Sequence, residues 1–88
     1  MDENIELRIS NDIEYFYKNI KKFDNSELQN ELKSNKNLKY VYELSSMYAS
    51  DAKSYLEKKD FYTSFSCISY AHGLLDALLY LKGLNGDL

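Results

Sequence analysis

The sequence predicts an all-α fold, an up-down-up three-helix bundle, and three observations carry that expectation. Three long stretches repeat apolar residues at steps of three and four, the period of a helix with one buried face. Proline is absent and only three glycines occur in 88 residues, which leaves few places for a helix to break. The links between the stretches are short, and short links make consecutive helices antiparallel neighbours. Hydrophobic residues at 44% and charged residues at 28% fit a chain folding as one domain, residues 1–88, around one modest core.

The first long helix is expected over residues 2–23. Ile5, Ile9, Ile13, Phe16, Ile20 and Phe23 stay within an arc of about 80°. Asp2, Glu3 and Glu6 in the first turns, and Lys21 and Lys22 in the last, complement the helix dipole. In residues 24–36, Ser26, Glu27, Leu28 and Gln29 read as a capping box, with Ser26 as N-cap and Gln29 reaching back to it. Leu28 and Leu32 then face the core from a short extra helix or an ordered turn. A continuous rod would instead place them about 80–120° from Leu38, toward the polar side.

The second long helix is expected over residues 37–58. Leu38, Val41, Leu44, Tyr48, Ala52, Tyr55 and Leu56 form its buried face, with Glu43, Ser46, Ser50, Ser54 and Glu57 outside. Lys58 and Lys59 close it, and Asp60 reads as the N-cap of the third helix, residues 61–82. On that third helix Phe61, Phe65, Ile68, Ala71, Leu75, Leu78 and Leu79 share one side, widened by Cys67, Leu74 and Leu81 to about 200°. Ser66, Ser69, Gly73 and Ala77 make a strip of small residues opposite. A helix apolar on one side and small on the other reads as central, touched by both neighbours and by a second protein. Residues 83–88 read as a fraying tail.

Composition excludes some functions. The net charge of −3 argues against binding nucleic acid through its phosphates. A single cysteine, Cys67, makes no internal disulfide, and the acidic start lacks the layout of a signal peptide. Asp76 interrupts the longest apolar stretch, which is too short to span a membrane. The expectation is a cytoplasmic protein. No phosphate-binding glycine loop, CxxC, HExxH or serine–histidine–aspartate set occurs, so no catalytic residue, metal or cofactor is assigned.

Candidate site residues cluster on the last two helices. His72 and Asp76, at i,i+4, present a ring nitrogen and a carboxylate on one helix edge, and Asp51 would supply a further oxygen from the second helix. Asp51 and Asp76 would form an acid/base dyad if they came within about 5–10 Å. The alternative is that all three are helix-edge polar groups bonded to tyrosine hydroxyls or to each other. Tyr48 and Tyr55 fall on the core face, whereas Tyr15, Tyr40, Tyr62 and Tyr80 fall outside, as interface tyrosines do. Cys67 reads as a small core residue, not a nucleophile.

The run of Tyr48, Asp51 and Ala52, then Asp60, then Tyr70, Ala71, His72, Gly73, Asp76 and Ala77, resembles a small, mainly archaeal family, domain of unknown function 357. Lys59 stands where that family usually has glycine, and Leu74 where tryptophan is common. The resemblance implies a three-helix bundle like a spectrin repeat and leaves the biochemical role open. The function expected is a non-catalytic protein-interaction module, self-associating through the last helix into a homo-oligomer or binding a protein partner. Tyr48, Asp51, Tyr70, His72, Gly73 and Asp76 are its interface or ligand candidates. The competing expectation is a small-ligand- or metal-binding enzyme subunit that uses Asp51, His72 and Asp76.

Overall fold

The computed structural model describes residues 2–84, with side chains from residue 4 onward. The acidic side chains of Asp2 and Glu3, and the expected tail beyond Leu84, lie outside the described residues. Within them the chain is all helical: α1 (Asp2–Ile20), a 3-10 turn (Lys21–Phe23), α2 (Ser26–Ser34), α3 (Lys36–Glu57) and α4 (Phe61–Leu81). The most extensive contact is between α3 and α4; α4 also packs against α1, and the short α2 packs against α3.

In α1 the expected stripe is the buried one. Ile9 and Phe16 are fully buried and Ile13 nearly so, with Ile5 and Ile20 packed at the margins. The 3-10 turn tightens the helix end and drives Phe23 into the core, where its ring meets Tyr42 edge-on at 5.4 Å. Asn19 is buried too, and its amide is satisfied by donating to the Tyr15 carbonyl at 3.1 Å.

The cap of α2 differs from the capping box expected at Ser26. Asn25 is the N-cap: its Oδ1 accepts from the Leu28 N–H at 2.9 Å. Ser26 is therefore the first helical residue. Gln29 turns back to donate to the Phe23 carbonyl at 2.7 Å, tying α2 to the turn before it. Leu28 and Leu32 are buried.

Of the face expected to be buried on α3, only Ala52 is fully buried. Leu38, Val41, Leu44, Tyr48, Tyr55 and Leu56 are only half-buried. The residues fully buried are Ser45, Ala49 and Ala52, on the helix that makes the most extensive contact with α4. Small side chains win the centre because they let the two backbones approach. Ser64 Oγ then donates across the seam to the Ala52 carbonyl at 2.7 Å, and Ser45 Oγ donates to the Tyr42 carbonyl at 2.7 Å within α3.

The α3–α4 turn is a Schellman stop. Lys59 takes the left-handed conformation with φ 63°, Asp60 N–H reaches the Tyr55 carbonyl at 2.9 Å and Lys59 N–H reaches the Leu56 carbonyl at 3.0 Å. Asp60 immediately caps α4 by accepting from Thr63 N–H at 3.2 Å. The far end of α4 repeats the motif at Gly83, φ 69°, with Leu84 N–H donating to the Leu79 carbonyl at 2.8 Å. Gly83 and Leu84, expected to fray, thus form a helix stop, and Leu84 packs on the core. Lys82 pairs with Glu31 of α2 beside it.

Candidate functional site

Packing against α3 and α1 sets the rotation of α4, and the rotation decides what each candidate residue faces. Ile68, Ala71, Leu75, Leu78 and Leu79 point into the core. The small strip of Ser66, Ser69, Gly73 and Ala77 is exposed, so the expectation that neighbouring helices touch it fails within the chain. Leu81, expected to widen the buried arc, is 74% exposed.

His72 and Asp76 sit on the α1 side of α4. They line an open groove of about 380 Å³ with Arg8, Asp12, Tyr15, Phe65 and Ser69. His72 Nε2 lies 2.8 Å from the backbone oxygen of Asp12. A carbonyl only accepts, so Nε2 carries the hydrogen and Nδ1 is the nitrogen left over. The ring is wedged between Tyr15 at 5.5 Å and Phe16 at 5.8 Å. His72 is therefore a pin between α4 and α1. Arg8 spans the groove wall, 3.9 Å from Asp12 and 5.9 Å from the centre of the Phe65 ring. Asp76 is half-buried and has no hydrogen-bond or ion-pair partner among the described residues.

Asp51 and Tyr48 belong to the opposite side. Asp51 is exposed on α3 and its charge acts on Cys67 of α4. Burial first, and then the carboxylates of Asp51 and Asp60, push the Cys67 thiol up, which keeps it protonated and unreactive. Cys67 and Asp76 are nine residues apart on one helix, about 180° around it and about 13 Å along it. The structure thus sets Asp51 apart from His72 and Asp76, and the acid/base dyad and the three-residue ligand set are not assembled. Among the described residues no three histidine, cysteine or acidic side chains are placed to hold a metal ion.

Tyr48 and Tyr70 meet edge-on at 4.7 Å across the α3–α4 seam, and Tyr70 remains half exposed at its outer edge. That pair marks where the seam opens onto the outward face of α4. Along this face run Tyr62 at 85% exposure, Tyr70 at 51%, Tyr80 at 72% and Leu81, with the small strip between them. Gly73 lies at its centre, and a Cβ built there has nothing within 4 Å. Sequence reasoning singled out the tyrosines and the small strip, put Leu81 on the buried arc instead, and missed two other features. The Asp12 carbonyl carries no side-chain signal, and the burial of Ser45 and Ala49 beside the expected Ala52 is legible only as small residues at helical spacing.

The family described as Protein of unknown function (DUF357) matches residues 11–84. The chain belongs to that family. No curated protein and no solved structure matches it. The matched segment of this DUF357 chain runs from inside α1 to the cap residue Leu84, so it holds every candidate residue and the whole of α4. Lys59, where the resemblance expects glycine, is the left-handed residue of the turn, and a glycine there would meet a backbone need. No helix among the described residues is long and apolar enough to cross a membrane.

Proposed function

We propose that this DUF357 chain is a non-catalytic helical interaction module that self-associates through the outward face of α4. One observation carries the reading: the exposed residues of α4 include three tyrosines and a leucine and no charged residue. The exposed residues of α1, α2 and α3 all include charges, Arg8 and Lys18, Glu27 and Lys33, Lys39 and Glu57 among them. A helix face meant for water in a chain 28% charged would carry its share. Desolvating an uncharged aromatic face costs little, and tyrosine contributes area with few rotatable bonds.

The finer fold belongs to the same reading: an up-down-up bundle of the spectrin-repeat kind, with α2 as an added brace. The tight α3–α4 turn and the contact of α4 with both long neighbours support it. A cytoplasmic setting belongs to the reading as well, supported by the single cysteine, Cys67, which has no second cysteine in the chain to pair with. The separation of Asp51 from His72 and Asp76 weighs against an enzyme subunit built on those three. The net charge of −3 weighs against nucleic acid.

Sedimentation velocity from low to high micromolar concentration tests the proposal, with Tyr70→Glu and Tyr80→Glu as controls. A monomer that grows to a larger species with concentration, in wild type and not in the charged variants, is the expected result. A monomer at every concentration, with no protein captured from a native extract, overturns it.

A further inference from the structure

The outward face of α4 has an order of sizes that makes it complementary to its own reverse. Measured from Gly73, Ser66 and Tyr80 lie seven residues to either side, each within about 20° of the midline through Gly73. Ser69 and Ala77 lie four residues to either side, about 40° off that midline. Turned end for end about Gly73, the face therefore sets each Tyr80 over a Ser66 and brings each Ser69 beside an Ala77. Turned parallel, it would stack Tyr62 on Tyr62 and Tyr80 on Tyr80 and hold the helices apart.

Gly73 is the second observation. A helix interior disfavours glycine, and nothing in the chain comes within 4 Å of the place its Cβ would occupy. No close approach inside the chain explains it. A symmetric crossing at Gly73 does, because the shortest separation falls on the twofold axis, where each residue meets itself. The face is also free of charge apart from the half-buried Asp76 at its edge. A copy carrying a net charge of −3 therefore meets its like where repulsion is least.

We propose that the partner on this face is a second copy of the chain, with the two α4 helices crossing antiparallel on a twofold axis at Gly73. This rests on the interaction-module reading and adds its partner and register. The dipoles of the two helices oppose in this arrangement, and the Cα atoms of Ser69 in one copy and Ala77 in the other fall within disulfide reach, about 4.4–6.8 Å.

The test uses the full chain with Cys67→Ala as background and two single variants, Ser69→Cys and Ala77→Cys, both at exposed positions. Under mild oxidation the mixture is expected to give the mixed disulfide dimer, and neither variant alone. Each variant cross-linking to itself would mean a parallel pair and would overturn the register. A dimer by sedimentation that cross-links at neither position would place the contact elsewhere, overturning the inference while leaving self-association standing. A monomer throughout overturns both. Gly73→Leu supplies the independent check: loss of the dimer with helical content and a cooperative melt retained is expected, and an undiminished dimer overturns the axis at Gly73.

Discussion

Gly73→Ala separates the two demands on α4, because its effects on folding and on association have opposite signs. In the folded monomer the added methyl meets nothing within 4 Å and stays exposed, so neither collision nor burial enters. What remains is the gain from replacing glycine by alanine in a helix interior, about 1 kcal/mol. For a domain of this size that raises the melting temperature by about 4–8 °C. The gain should appear in full in dilute solution. In concentrated solution a self-associating wild type is stabilised by mass action, by about 2.7 kcal/mol at a hundredfold excess over the dissociation constant. The variant, whose methyl groups meet on the twofold axis, forgoes that. Circular-dichroism melts at the two extremes of concentration should therefore cross: the variant melts higher when dilute, the wild type higher when concentrated. A variant less stable when dilute would show that something in the chain already needs Gly73 bare. Parallel shifts without a crossing would refute the crossing of two copies there.

Replacing Lys59 by glycine relieves a left-handed residue, about 1–2 kcal/mol, offset by roughly 0.5–1 kcal/mol of glycine's extra chain entropy, and removes the 2.7 Å Lys59–Glu6 pair, which is well exposed and is discounted to about 0.2–1 kcal/mol. Urea denaturation should show a small net change in wild type and a clear gain in a Glu6→Gln background, where the pair is already absent; no gain in that background would mean the turn is unstrained. Ser64→Ala removes the buried bond to the Ala52 carbonyl and should cost about 1 kcal/mol, and Ser64→Val should cost about 1–3 kcal/mol by overfilling the seam; a neutral valine would show that α3 and α4 are not in close backbone contact. The Cys67 thiol is pushed up by burial and then by Asp51 and Asp60, so its contribution to stability is whole below the ordinary thiol value of about 8.5 and is lost as pH rises through the folded value. Asp51→Asn should lower the pH at which iodoacetamide alkylates Cys67 without bringing it to that of a free thiol, because burial remains; an unmoved pH–rate profile would show that Asp51 does not reach the sulfur.

Helical class was legible because the period of α1 and of the inner face of α4 is strong enough to survive any packing arrangement. The errors have physical causes. On α3 the largest apolar side chains lie on one side, yet the centre of the seam goes to Ser45, Ala49 and Ala52, since depth depends on how closely two backbones approach and not on side-chain hydrophobicity alone. The start of α2 makes a similar point in miniature: Asn25 and Ser26 are both good caps, and the 3-10 turn ending at Phe23 brings the asparagine to the right place. Grouping Asp51 with His72 and Asp76 failed for a different reason. A helical wheel tells which residues share a side of α4, and Cys67 and Asp76 are opposed on it, but it does not tell which neighbour stands on which side. That handedness comes only from the assembled helices, as does the bond from His72 to a backbone oxygen of α1.

The weak sidedness of α4 has its origin on the outward face. A helix with one buried face and one solvated face alternates sharply, as α1 does, with Ile9, Ile13 and Phe16 inward and Arg8, Glu14 and Lys18 outward. On α4 the contrast is weak because the outward side lacks charge, not because both sides are buried: Ser66, Gly73, Ala77 and Tyr80 are all exposed. Weak contrast on a helix that packs on only one side is the pattern expected when the other side is also destined to leave water. The two halves draw on different residues, with Ile68, Ala71 and Leu75 inward and Gly73 with the exposed tyrosines outward. Folding and association are therefore separable by single substitutions. That separability distinguishes a docking face from a badly solvated surface, since a face that merely lacked charge would gain from Gly73→Ala at every concentration.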